Sequence, residues 1–238
     1  MNRIIFWPDE DISYLPASDS RYIHIINVLR AQEGSLIKVG RIQDKSGIAK
    51  IVSINKKRLT MIHCLGDEDP GSLYPVHILL GHPRPAVLYR IIRDLSSIGV
   101  ASISVVPGVL CEKSYLQTSF WKEQRYKQAL LDGAMQAGVC TIPSCRLFES
   151  LESMLKANRR NAKSICFEQS ADPILTFSSN PNEYCLAIGP ERGWTEREHK
   201  TFSEYGFTFA TLGPRVLRTE TACISVAVHA VRSMTNRI

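Results

Sequence analysis

The stretch TLGPRVLRTETACISVAVHAVRS, residues 211–233, decides how this chain reads. A β-prone run closes at Leu212, Gly213-Pro214 forces a turn, and a short extended segment carries Arg215 and Arg218 toward a helix. The helix is expected to begin near Thr219, whose hydroxyl suits a cap. Glu220 falls in the first turn, where the helix dipole favours a carboxylate. Val226, Ala227 and Ala230 are expected to be buried on that helix. Taken singly, Glu220 reads as a dipole-compensating acid and the arginines as solvated charge. Two arginines, a glutamate and two threonines crowded before an apolar helix point instead to a site.

A second segment, AIGPERGWTEREHK at residues 187–200, has related grammar. A strand ends at Ile188, Gly189-Pro190 turns the chain, and Gly193 gives further backbone freedom. Thr195 and Glu198 form a capping box that opens the next helix. In open α/β sheets, ligands sit where such loops leave the carboxyl ends of strands. The free N–H and C=O groups of this loop suit an adenine edge. An ordinary strand–helix connector reads the same way, and neither a GxGxxG nor a GxxxxGK[ST] fingerprint is present.

Outward from these segments, strands are expected at 76–80, 103–106, 164–167, 184–188 and 208–212. Helices are expected at 87–98, 121–137, 151–157, 195–205 and 220–234. This alternation predicts a mostly parallel sheet covered on both faces. Residues 66–75, GDEDPGSLYP, read as a linker. Ahead of it, strands at 3–7, 35–39, 47–54 and 58–64 and one helix built on Tyr22, Ile25, Ile26 and Leu29 suggest a small barrel. The expected organisation is therefore residues 1–70 as the barrel and 73–238 as the α/β domain.

The composition, 44% hydrophobic and 22% charged, supports a packed core and excludes long disorder. The formal charge of +6 is compatible with a nucleic-acid partner. Residues 1–60 carry ten Lys plus Arg against six Asp plus Glu, with Lys56, Lys57 and Arg58 clustered at an expected barrel turn. Phosphate contact and a solvated turn are equal readings of that cluster. Seven cysteines, an odd number with no CxxC pair, argue for reduced thiols in a reducing cytosol and against a zinc site. His24, His82 and His199 lack metal-ligand spacing, so surface or hydrogen-bonding roles are expected. The N-terminal residues have no signal-peptide pattern, and no apolar run nears the roughly 20 residues that span a bilayer. A cytoplasmic protein with no membrane segment and no metal is the expectation.

LGPRVLRTETA together with IGPERG resembles the bacterial 16S ribosomal RNA uracil-N3 methyltransferase family of the SPOUT superfamily. The resemblance runs over nearly the whole chain. It implies an N-terminal PUA-like β-barrel that helps bind RNA, then a SPOUT domain with a C-terminal trefoil knot and helices on both faces of its sheet. It implies S-adenosyl-L-methionine as cofactor, cradled by three loops. Their expected contacts are Phe167, Glu168 and Gln169; Ile188, Gly189, Pro190 and Gly193; and Leu212, Gly213, Val216, Leu217, Arg218, Thr221 and Ala222. It further implies a homodimer whose interface involves the final helices, with small-subunit ribosomal RNA or its assembly intermediate as the other partner. Departures from the family pattern are Arg192 in place of a second glycine, Gly81-His82-Pro83-Arg84-Pro85 in place of a Pro-Lys-Gly type stretch, and Met135-Gln136-Ala137-Gly138-Val139 in place of Glu-Gln-Ser-x-Arg.

Uracil N3 carries a proton at neutral pH, so methylation there needs a base or an anion stabiliser. Glu220 or Glu191 is expected to take the proton, and Arg218 to stabilise charge on a carbonyl oxygen. The expected RNA contacts are Arg3, Arg30, Lys56, Lys57 and Arg58, with Arg84 gripping a backbone phosphate. Three other readings stay open: a SPOUT methyltransferase for tRNA or another rRNA site, an RNA-binding relative without catalysis, and an α/β enzyme for a phosphate ligand.

Overall fold

The computed structural model describes residues 3–66, 70–158, 161–171 and 182–235. They fall into two compact units: residues 1–72 with 134–142, and residues 73–133 with 143–238. Part of the expected linker, Asp67, Glu68 and Asp69, lies outside the described residues.

The first unit contains β1 (Ile4–Phe6), β2 (Tyr14–Pro16), α1 (Ser20–Asn27), β3 (Leu36–Arg41), β4 (Ser46–Ile54) and β5 (Arg58–Gly66). The strands form one curled, mixed sheet in the order β1-β3-β4-β5-β2, a half-barrel of PUA-like type. β1 pairs parallel to β3 and the other neighbours are antiparallel. Ile4, Ile5, Phe6, Ile25, Val39, Ala49, Ile51 and Leu59 are buried in this unit, following the period-2 alternation of β3 to β5. The β4–β5 turn is an Asx turn, in which Asn55 Oδ1 accepts from the N–H groups of Lys57 (2.9 Å) and Arg58 (3.0 Å). Arg21 is 7% exposed, between Glu10 (2.6 Å) and Asp19 (2.7 Å). A Cβ on Gly40 would lie 2.3 Å from Cys140 Sγ, so only glycine lets residues 134–142 pack there.

The second unit runs β6 (Tyr74–Gly81), α2 (Pro85–Ile98), β7 (Val100–Val106), α3 (Lys113–Leu116), α4 (Ser119–Lys122) and α5 (Arg125–Ala137), whose last turn belongs to the first unit. It continues with β8 (Ser144–Leu147), α6 (Leu151–Ala157), β9 (Lys163–Phe167), β10 (Tyr184–Ile188), α7 (Glu196–Glu204), β11 (Thr208–Ala210) and α8 (Thr219–Thr235). The six strands are all parallel, in the order β11-β9-β10-β6-β7-β8. β6 and β10 are buried along nearly their whole lengths, as a sheet covered on both faces requires. The expected helix 121–137 is interrupted: Gln124 takes φ +54, which separates α4 from α5.

One detail of the topology positions the site. The chain leaves β6 toward β7 and β8 on one side, then builds β10, β9 and β11 on the other. The order therefore reverses at β6 and β10, and a crevice opens at their carboxyl ends. α8 returns to pack on α2, β6 and β10, so the segment before it must cross that crevice.

Candidate active site

Three loops leave neighbouring strand ends. Phe167 ends β9, Ile188 ends β10, and residues 211–218 follow β11. The parallel register aligns Ile188 with Phe167 and with Leu80 of β6, and Ala210 with Phe167. Short bonds tie the loops together. Glu168 N–H donates to Ala210 O (2.9 Å), and Gln169 Nε2 donates to Gly213 O (3.3 Å). Gly193 N–H closes a turn onto Pro190 O (2.9 Å). Gly81 needs its missing side chain, because a Cβ there would meet Pro190 Cδ at 2.3 Å and the Pro190 nitrogen at 2.6 Å. The 189–193 loop thus lies against the end of β6.

α7 holds that loop from behind. Thr195 and Glu198 form the expected capping box: Thr195 Oγ1 accepts from Glu198 N–H (3.3 Å), and Glu198 Oε2 accepts from Thr195 N–H (2.7 Å). The other carboxylate oxygen of Glu198 accepts from Val109 N–H (2.9 Å), which anchors the chain after β7. Glu198 is buried, and these donors replace the water it has lost.

Together the loops enclose a cavity of about 800 Å³. Its lining includes all three expected catalytic residues, Arg218, Glu220 and Glu191. Of the expected cofactor contacts, Phe167, Glu168, Gln169, Ile188, Gly189, Pro190, Gly193, Leu212, Val216, Leu217, Arg218 and Ala222 line it. Gly213 does not, although its carbonyl accepts from Gln169 and from Thr211 Oγ1 (3.1 Å). Thr221 is exposed and lies outside the lining.

The charge balance of the lining is mixed. Five arginines (Arg84, Arg90, Arg192, Arg215, Arg218) and three glutamates (Glu168, Glu191, Glu220) contribute. Arg90 on α2 was not legible in the sequence. Its Nη2 lies 3.2 Å from Glu220 Oε1, a contact across 130 positions that no local pattern announces. The backbone N–H of Glu220 itself does most to hold its carboxyl below the ordinary value; burial opposes it, and the Arg90 contact and the Arg218 charge add to the lowering. Glu191 sits at the rim, where its Oε1 accepts from Arg84 N–H (3.0 Å) and Arg84 Nε (3.4 Å). His199 Nε2 lies 3.0 Å from Glu168 Oε2.

A cofactor with an adenine ring, a sulfonium and an amino acid end fits this donor set. Ile188, Leu212, Val216, Leu217 and Ala222 offer apolar walls, the carboxylates offset a positive sulfur, and the glycine loops present bare backbone. Gly213, at φ +126, keeps open space where a side chain would stand.

The expected RNA contacts are scattered. Lys56, Lys57 and Arg58 are exposed at the β4–β5 turn, and Arg30 is exposed after α1. The Arg84 side chain is 66% exposed. Arg3 is a correction: it is 7% exposed, its backbone N–H donates to Met135 O (3.3 Å), and its Nη1 lies 3.8 Å from Cys140 Sγ. It braces the first unit and is closed to a phosphate in solution. Among the described residues no group of His, Cys, Asp and Glu is arranged to hold a metal, and no helix is long and apolar enough to cross a membrane.

Comparison with known proteins gives concordant matches. The model of the RNA methyltransferase domain family matches residues 70–231. The ribosomal RNA small subunit methyltransferase E of Treponema pallidum is 34% identical, covering 96% of this chain and 90% of that protein. A second relative, methyltransferase E 1 of Borreliella burgdorferi, is 28% identical over 99% of this chain and 100% of its own. Among solved structures, the small subunit methyltransferase E of Neisseria gonorrhoeae, crystallised with S-adenosyl methionine, superposes with a TM-score of 0.74 at 21% identity, covering 95% of each chain.

Proposed function

This chain belongs to the RNA methyltransferase domain family, and on that premise we propose that it is an S-adenosylmethionine-dependent methyltransferase of small-subunit ribosomal RNA, acting at N3 of a uridine. The observation that carries this reading is the convergence of three strand-end loops on one cavity with Arg218, Glu220 and Glu191 in its wall. The T. pallidum relative supports the substrate class.

When bound, S-adenosylmethionine supplies an electrophilic methyl group on sulfur. The residues of the chain do the rest. Residues of the 167–169, 188–193 and 212–218 loops hold the cofactor and so fix one reactant, which is where much of the rate originates. Glu191 takes the N3 proton of the uracil. Glu220 is the weaker base, because its carboxyl is held below the ordinary value. Its role is to orient Arg90 and to neutralise the arginine-rich wall. Arg218 stabilises the negative charge that develops on the uracil carbonyl oxygen as the proton leaves.

In this reading residues 1–70, joined by 134–142 in the same compact unit, form the RNA-binding PUA-like module, and the remainder of 73–238 forms the catalytic SPOUT module. The return of the chain across the crevice before α8 is the path on which a trefoil knot would form. The active species is a cytoplasmic homodimer built on the final helices, which light scattering tests directly.

The test is nucleoside mass spectrometry of small-subunit RNA incubated with the protein and S-adenosylmethionine. One new N3-methyluridine at a mapped position supports the whole reading. Methylation of a different base, or of tRNA only, keeps the enzyme class and overturns the target.

A further inference from the structure

The expected RNA contacts left one segment without a role: the stretch from the end of β7 into the first turn of α5, which includes α3 and α4. It is anchored beside the site at three points. Gly108 lies where a Cβ would touch the Trp194 ring at 3.3 Å and Glu198 Oε1 at 3.4 Å, and Val109 N–H donates to that same oxygen. Cys111 Sγ lies 3.4 Å from His82 O. The third anchor is His82 itself, fully buried at the end of β6. Its Nδ1–H donates to Pro83 O (2.7 Å), which leaves Nε2 as an acceptor for the Trp121 indole N–H (3.0 Å). His82 thus ties α4 to the strand end that delivers Arg84 to the cavity rim.

This segment carries half-buried aromatic rings and exposed cations. Trp121 packs on Tyr126 with ring centres 5.2 Å apart, and edge-on at 5.4 Å on Phe120, which is buried and supports it from within. Tyr115, on α3, is half-buried, and its hydroxyl lies within electrostatic reach of Glu112, Glu191 and Arg84. Lys113, Lys122 and Arg125, close to these rings in the chain, are exposed, as are the acids Glu112 and Glu123. Rings beside spaced cations suit unpaired nucleotides: bases stack on the rings and phosphates meet the cations. Duplex RNA hides its base faces and cannot use the rings.

We propose that residues 112–126 form a platform for single-stranded RNA at the Arg84–Glu191 rim, with Tyr115 stacking a base and His82 as the positioning residue that holds the platform. The inference rests on the reading of the neighbouring cavity as an RNA methyltransferase site. It assigns to this unit a substrate contact that the basic turn of the first unit does not supply.

The experiment measures binding of the full-length protein to a short uridine-rich single strand and to a duplex of equal length, by fluorescence anisotropy. Tyr115→Ala should weaken single-strand binding about tenfold and duplex binding hardly at all. Tyr115→Phe, which keeps the ring, should bind like the parent. Lys113→Ala should weaken both RNAs and lower the salt slope by about one unit. His82→Asn should raise KM for RNA more than it lowers kcat, with cofactor affinity unchanged. Parent-like binding by Tyr115→Ala would overturn the platform, as would equal losses for single strand and duplex. A parent protein that binds single strands through Tyr115 but transfers no methyl group would keep the platform and sink the enzymatic reading.

Discussion

At the scale of single residues, the pocket separates three charged groups that look alike in the sequence. Arg218 and Glu220 are two positions apart, yet Glu220 is engaged by Arg90 and by its own helix start. Glu191 is held by Arg84 across 107 positions. Arg218→Ala should lower turnover by a factor of about 100 or more, well beyond any loss of cofactor affinity, as isothermal titration beside single-turnover kinetics would show. Glu191→Gln should lower kcat by about 100-fold or more through loss of the proton acceptor. Glu220→Gln should cost less and leave the acid limb of the pH–rate profile in place. The reverse ranking of these two glutamine variants would make Glu220 the base. Glu220, Glu191 and Arg218 were legible because each stands in a distinctive motif. Arg90 was not, because only the packing of α8 on α2 brings it to Glu220.

Elements repeat the contrast. Strands β6, β9 and β10 and helices α2, α6 and α8 lie within about two residues of their expected bounds, since long apolar periodicity and clear caps mark them. Three short elements escaped. β2 ends in Pro16, as an edge strand can, β8 has four residues without a β-branched side chain, and α3 is a single turn. The apparent helix over 121–137 divides because Gln124 takes a left-handed conformation, which composition does not announce. Capping predicts energetics at this scale. Thr195→Ala should cost about 1 kcal/mol in chemical denaturation and loosen the 189–193 loop. Gly81→Ala should damage both function and stability. Its methyl would drive Pro190 from the end of β6, so cofactor affinity should fall at least tenfold and overpacking should lower stability by about 1–3 kcal/mol in denaturant melts.

At the scale of the whole molecule, one of the buried histidines, His82, couples pH to stability. Burial pushes the His82 imidazole below its ordinary value of 6.5, against the opposing pull of the Pro83 carbonyl and the Glu191 charge. A lowered histidine pKa means that the unfolded chain binds the proton more readily. The stability contributed by neutral His82 is therefore full above about pH 6.5 and is lost as pH falls from there through the folded value. Denaturant melts from pH 8 to pH 5 should show this decline, and His82→Asn should flatten it. An unchanged slope in the variant would assign the decline to other groups. Asp19 acts lower on the scale. Burial raises its carboxyl pKa, but the bonds from Arg21 outweigh that and hold it below 3.8, so its contribution disappears only as pH falls past that value.

The sequence by itself determined the alternation of strands and helices, the turn before the last helix, the capping box at Thr195 and the family to which these motifs belong, because each is written in neighbouring residues. Local chemistry of that kind survives whatever the rest of the chain does. Strand order, the crevice at β6 and β10, the Arg84–Glu191 and Arg90–Glu220 pairs, the burial of Arg3 and the His82–Trp121 bond were decided only by tertiary structure. Each joins residues far apart in the chain. Parallel strands take their neighbours through long crossovers rather than tight turns, so no local signal records which strand lies beside which.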